Sequence, residues 1–167
     1  AGSDGNCHPI AVFSGCSRLI LCLTDGGEVA QQQIFPASAW GTRYLTFHSI
    51  IATSNPLTTP FNNVFRVMVT NPATVVKRNG TVLTGLQKNS FYEFESTSGD
   101  YIEADQPVMV CQYTHNSNQC TGNNMSPQGD PELMFLAPIE QGIKKARVYN
   151  TKNAVITVNY LTIIIPN

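Results

Sequence analysis

Short apolar runs with every second residue polar recur through most of the sequence. Arg43-Tyr44-Leu45-Thr46-Phe47-His48 and Val64-Phe65-Arg66-Val67-Met68-Val69 carry this period-two pattern, which lines the two faces of a pleated strand. Thr74-Val75-Val76-Lys77-Arg78 meets Asn79-Gly80 and continues as Thr81-Val82-Leu83. Asn-Gly tolerates the positive φ angles of a type I′ turn, so this stretch predicts a hairpin. Phe91-Tyr92-Glu93-Phe94, Tyr101-Ile102-Glu103-Ala104 and Arg147-Val148-Tyr149 predict further strands. The run from Val155 to Ile165 is too long and too β-branched for a surface helix. Helical signal is confined to Ala30-Gln31-Gln32-Gln33-Ile34-Phe35, which allows one turn before Pro36 stops it. Three polar connections stand out, 53–63, 96–100 and 115–130, and the last exceeds ordinary loop length. The expected fold is all-β: a β-sandwich of mostly antiparallel strands with long polar loops and little or no helix.

Two stretches are nearly duplicates. His8-Pro9-Ile10-Ala11-Val12-Phe13-Ser14-Gly15 resembles Gln106-Pro107-Val108-Met109-Val110-Cys111-Gln112-Tyr113, with the prolines 98 positions apart. Ile34-Phe35-Pro36, followed by Gly41, is echoed by Leu136-Ala137-Pro138, followed by Gly142, with the prolines 102 positions apart. A repeat of about one hundred residues is the size of one β-sandwich unit. The expectation is that residues 1–167 form a single β-sandwich module taken from a larger, repeat-containing secreted protein, opening on the last strands of one unit.

Composition narrows the function. Of the 167 residues 42% are hydrophobic and 13% charged, and the net charge is −1, so the chain can bury a core and is not a disordered polyelectrolyte. Such a balance offers no electrostatic footprint for nucleic acid. Lys144-Lys145-Ala146-Arg147, the nearest approach to a basic cluster, reads as a solvated strand face. No apolar stretch is long enough for a membrane-spanning helix, and Ala1-Gly2-Ser3-Asp4 does not read as a secretory signal. The five cysteines, Cys7, Cys16, Cys22, Cys111 and Cys120, lack zinc-site spacing. The expected bridges are Cys16–Cys22, which needs a turn between the two, and Cys111–Cys120, with Cys7 paired outside this sequence. Five buried, reduced thiols are the alternative.

No hydrolase elbow or HExxH motif accompanies His8, His48 and His115, and Ser14-Gly15 is not followed by a helix pattern, so no enzyme is expected. Gly129-Asp130-Pro131-Glu132 has two readings. As function, Asp130 and Glu132 would ligate calcium, with oxygens from Asn123, Asn124 or Gln128; as structure, Asp130 caps a turn and Pro131 sets φ for a following strand. The carboxylates are few, so the turn is preferred and no cofactor is assigned. Trp40, the sole tryptophan, either stacks on a sugar or anchors a corner. Tyr92 and Tyr113 divide the same way, toward packing. Asn79-Gly80-Thr81 and Asn124-Met125-Ser126 match glycosylation acceptors, the first preferably read as the hairpin turn.

In order along the chain, Pro9 to Gly15, Gln33-Ile34-Phe35-Pro36 with Trp40-Gly41 and Tyr44, Phe65-Arg66-Val67 and Asn79-Gly80 resemble the IgGFc-binding protein N-terminal domain family. So do Pro107-Val108 running to Gln112-Tyr113, Gly129-Asp130-Pro131 with Pro138 and Gln141, and Asn159-Tyr160. The resemblance covers most of the sequence and implies a β-rich extracellular domain. In animals it belongs to a mucus glycoprotein that binds antibody Fc; in bacteria similar domains accompany adhesive repeats. The match resembles the second half of the family domain, and low charge favours a bacterial member. The expected function is non-enzymatic recognition or adhesion at a cell surface or outside the cell, with a glycan or glycoprotein held by polar loops. The candidate residues are Trp40, Tyr113, His115, Asn123, Asn124 and Asp130. The alternatives are a spacer or assembly domain contacting its neighbours, and an accessory domain of a glycan-active enzyme.

Overall fold

The structure, a computed structural model, describes residues 10–19, 28–48, 63–114, 132–149 and 161–165. These residues form an all-β, antiparallel architecture whose larger sheet curls into a half-barrel. The strands are β1 (Phe13–Leu19), β2 (Glu28–Gln33), β3 (Gly41–Leu45), β4 (Asn63–Val69), β5 (Val76–Arg78), β6 (Thr81–Val82), β7 (Tyr92–Ser96), β8 (Tyr101–Thr114) and β9 (Glu132–Phe135). Two single 3₁₀ turns, η1 (Ala37–Ala39) and η2 (Ile139–Gln141), each follow a proline. β1 and β2 form a two-stranded sheet, and the other seven strands form one sheet ordered β6-β5-β8-β4-β7, with β3 and β9 also on β8.

β8 organises the large sheet. Its first part pairs with β5 on one edge and β3 on the other; its second part pairs with β4 on one edge and β9 on the other. The 14-residue strand spans both because Asp105, Gln106 and Pro107 lie exposed at the changeover, where a missing proline N–H costs no ladder bond. Alternation sends its side chains to two cores. Ile102, Val108 and Val110 join Tyr44, Phe65, Val67, Val69, Val76 and Phe94 on the inner face. Cys111 and Tyr113 join Val64 on the other face, beneath Leu19 and Ala30 of the hairpin. Where β4 pairs with Val108–Tyr113 of β8, side chains on both faces pack against a core, which explains the apolar character of these two stretches.

Polar groups close the ends of this core. The Tyr44 hydroxyl donates to Val108 O at 2.6 Å and accepts from Gly41 N at 3.0 Å. Gln112, fully buried, donates through Nε2 to Phe47 O and to Asn63 Oδ1. Asp100, 2% exposed, receives Asn79 Nδ2 at 2.6 Å and faces Arg78 Nε at 3.1 Å, while Arg78 also lies over the Phe94 ring. The Asn79-Gly80 turn has φ of 49° and 82° and joins β5 to β6 through Arg78 opposite Thr81. It is the expected type I′ hairpin.

Two expectations need correction. Residues 30–33 belong to β2 rather than a helical turn, because the pairing of Ala30, Gln31, Gln32 and Gln33 with β1 supplies backbone partners that a single turn lacks. Residues 147–149 and 161–165 belong to no strand and are exposed; strand propensity without a neighbouring ladder does not make a strand. The connection 96–100 does link β7 to β8 as expected, with its ends Ser96 and Asp100 buried and Asp100 N bonded to Thr46 Oγ1. Most of 53–63, and all of 115–130, lie outside the described residues; Asn63 itself opens β4, fully buried.

Candidate functional site

Within β4, Phe65 and Val67 face the inner core, so Arg66 projects to the opposite face with Val64 and Met68. Strand register places Arg66 opposite Glu93 of β7 and Cys111 of β8. Its Nε donates to Glu93 Oε2 at 2.7 Å, and Nη1 donates to the Tyr113 hydroxyl at 3.2 Å. Its guanidinium carbon lies 4.0 Å from the Phe91 ring centroid and 4.6 Å from that of Tyr113. The cation is therefore held by two rings, a carboxylate and a phenol, within the range of favourable cation–π contact.

The cluster has a dry floor and a wet rim. Tyr113 is 8% exposed, whereas Phe91 is 47% exposed and the Glu93 side chain 44%. Burial alone would lower the Arg66 pKa, but its bonds to Glu93 and Tyr113 outweigh that and raise it, so the guanidinium stays charged. Burial pushes the Tyr113 phenol up, against the opposing effect of Arg66. Burial likewise pushes the Cys111 thiol beside it to about 12. The arrangement presents a fixed positive charge flanked by aromatic surface.

Of the candidate residues read from sequence, Tyr113 lies in this cluster. Trp40 lies elsewhere: it caps η1 and donates Nε1 to Phe35 O at 3.4 Å, a corner position. His115, Asn123, Asn124 and Asp130 lie outside the described residues, as does Gln128. Glu132 opens β9 opposite Thr114, whose hydroxyl accepts from Glu132 N. No group of three His, Cys, Asp or Glu side chains that could hold a metal ion occurs among the described residues. Cys16, exposed on β1, and Cys111, buried on β8, are both free thiols, so neither expected bridge is formed in the structure; Cys22 and Cys120 lie outside the described residues. Cys111 points into the core between the sheets instead of ending its strand, as the expected bridge required. Asn79 spends its side-chain amide on Asp100 and its Oδ1 on Tyr101 N, which supports the turn reading over an acceptor for sugar.

Sequence reasoning missed Arg66, Phe91 and Glu93 as a group. A charge in the middle of an apolar strand was the available signal for Arg66, and Glu93 interrupts an aromatic run in the same way. Their meeting depends on the pairing of β4 with β7, which neither run specifies alone.

A family model described as IgGFc binding protein matches residues 3–167. Neither the curated proteins nor the solved structures contain a match to the chain. No helix among the described residues is long and apolar enough to cross a membrane.

Proposed function

The chain belongs to the IgGFc binding protein family, and from that premise we propose that it is a non-enzymatic binding module acting outside the cell or at its surface, with a glycoprotein partner. The observation that carries this reading is the half-exposed cluster of Arg66, Phe91, Glu93 and Tyr113. Arginine and aromatic residues supply much of the energy of protein interfaces. An arginine already held by two rings and a carboxylate has little side-chain freedom left to lose when a partner docks. We assign His115, Asn123, Asn124 and Asp130, in the polar segment that follows β8 in the sequence, as ligand contacts by their hydrogen-bonding chemistry. Trp40 provides a separate aromatic contact.

The family name makes the Fc fragment of immunoglobulin G the first probe, with a glycan array as the second. The full chain is expected to bind one of them, and Phe91→Ala to weaken that binding about tenfold, a loss of about 1.4 kcal/mol. Phe91 is half-exposed, so an unchanged melting temperature separates lost recognition from lost fold. Equal binding by the variant would move the site away from this cluster. Absence of binding to either probe would favour the second reading, a spacer or assembly module, which the in-register internal repeat described next also supports.

A further inference from the structure

The sequence repeat is also a repeat of hydrogen bonds. In the hairpin, Phe13, Ser14, Gly15 and Cys16 pair with Gln33, Gln32, Gln31 and Ala30. Moved by the same offsets that separate the repeated prolines, these become Cys111, Gln112, Tyr113 and Thr114 paired with Phe135, Met134, Leu133 and Glu132, which is the register of β8 with β9. Ile34 N bonds to Val12 O, and Leu136 N to Val110 O. Ala39 N bonds to Pro36 O, and Gln141 N to Pro138 O; Trp40 N bonds to Ala37 O, and Gly142 N to Ile139 O. The two copies differ in what lies beyond. In the second, β4 pairs with the outer edge of β8 from Val108 to Tyr113. In the first, β1 pairs only with β2 among the described residues.

Exposure records the same difference. Val108 and Val110 are fully buried and Cys111 is 1% exposed, whereas their counterparts Ile10, Val12 and Phe13 are 69%, 49% and 60% exposed. Val12 bonds toward β2, so by antiparallel alternation the backbone groups of Ala11, Phe13 and Gly15 face the open edge. From Ile10 to Ser17 this edge carries no charge to discourage pairing. We propose that the edge of β1 left unpaired among the described residues receives an antiparallel strand of the β4 type, supplied by a further unit of the same repeat. A second copy of this chain does not offer one, because its β4 is already enclosed between β7 and β8. The segment after η2 matches from the other end. In the first copy, β3 follows η1 and crosses onto β8 of the next unit, whereas residues 143–149 follow η2 in no strand. This inference stands whether or not the Arg66 cluster binds a partner.

The test adds a soluble-tailed peptide with the sequence of Asn63–Val69 to the full chain and reads amide hydrogen exchange by residue. Saturable one-to-one binding should slow exchange at Ala11, Phe13 and Gly15 at least about tenfold, while a scrambled peptide leaves them unchanged. Ala11→Pro removes one outward-facing donor and no bond to β2. It should keep the melting temperature and weaken the peptide at least about tenfold. Exchange at these amides that stays fast at saturating peptide would overturn the proposal. So would equal protection by the scrambled peptide, or β1 already protected in a concentration-dependent dimer, which would make a second copy the occupant.

Discussion

Arg66 and Cys111 are neighbours across β4 and β8, and they show how one face of a sheet assigns opposite roles. Arg66 reaches the rim, where its bonds to Glu93 and to the Tyr113 hydroxyl outweigh burial and keep it charged. Cys111 stays on the floor, where loss of solvent favours the neutral thiol and pushes its pKa to about 12. The thiolate is the reactive form, so a buried Cys111 held as the neutral thiol is expected to resist alkylation in the folded protein. Site-resolved mass spectrometry after alkylation at pH 8 should find Cys16 modified and Cys111 untouched. After denaturation without reductant Cys111 should react fully. Failure to react in that second sample would mean a bridge to another cysteine and would restore the pairing expected from sequence. Among the buried polar groups, Asp100 plays the comparable structural part: its Oδ1 meets both Asn79 Nδ2 of the β5–β6 turn and Arg78 Nε of β5.

The contact between β3 and η2 shows how elements from the two repeats are joined. A Cβ on Gly41 would lie 2.2 Å from Pro138 Cβ, so only glycine lets the start of β3 lie against η2. The Glu140 carboxylate accepts from Thr42 Oγ1 at 2.7 Å and Arg43 Nε at 3.2 Å, and Gln141 Nε2 donates to Ala39 O at 2.6 Å. Burial by itself would raise the Glu140 pKa, but the bonds from Thr42 and Arg43 outweigh it and hold the group below its ordinary 4.5. A depressed folded-state value stabilises the fold above the unfolded value and loses that contribution as pH falls through the folded one. Glu140→Gln should therefore be less stable than the parent at pH 7, by roughly 0.5 kcal/mol because solvent screens the pair. The gap should close as pH falls below 4.5, measured by urea unfolding across pH. A gap that stays constant to pH 3 would show that the carboxylate's charge plays no part. The Asn79-Gly80 hairpin needs no such long-range help, because positive φ at both positions is a local property of these two residues.

Taken whole, the hairpin and the large sheet share a core, since Leu19 and Ala30 of the hairpin pack with Val64, Cys111 and Tyr113 of the large sheet. A two-stranded hairpin is marginal alone, so its order depends on that packing. Trp40 sits at the junction, next to β3. Its fluorescence and the far-UV dichroism of the sheets should unfold with one midpoint in denaturant. An earlier tryptophan transition would show the junction and the sheets to be separate cooperative units. Local chemistry was sufficient for the all-β class, for the hairpin at Asn79-Gly80 and for the cores of β4 and β8, because pleat alternation and turn conformation are written within a few neighbouring residues. The duplication was also visible in sequence, and the shared register of its two hairpins followed from it. Long-range pairing settled the rest. β2 took a glutamine-rich run that looked helical, residues 147–149 found no ladder, and Cys111 lies within its strand as a buried free thiol rather than at its end in a bridge. Arg66, Glu93 and Tyr113 came together only because β4 runs between β7 and β8, and no property of the separate segments encodes which strands will lie side by side.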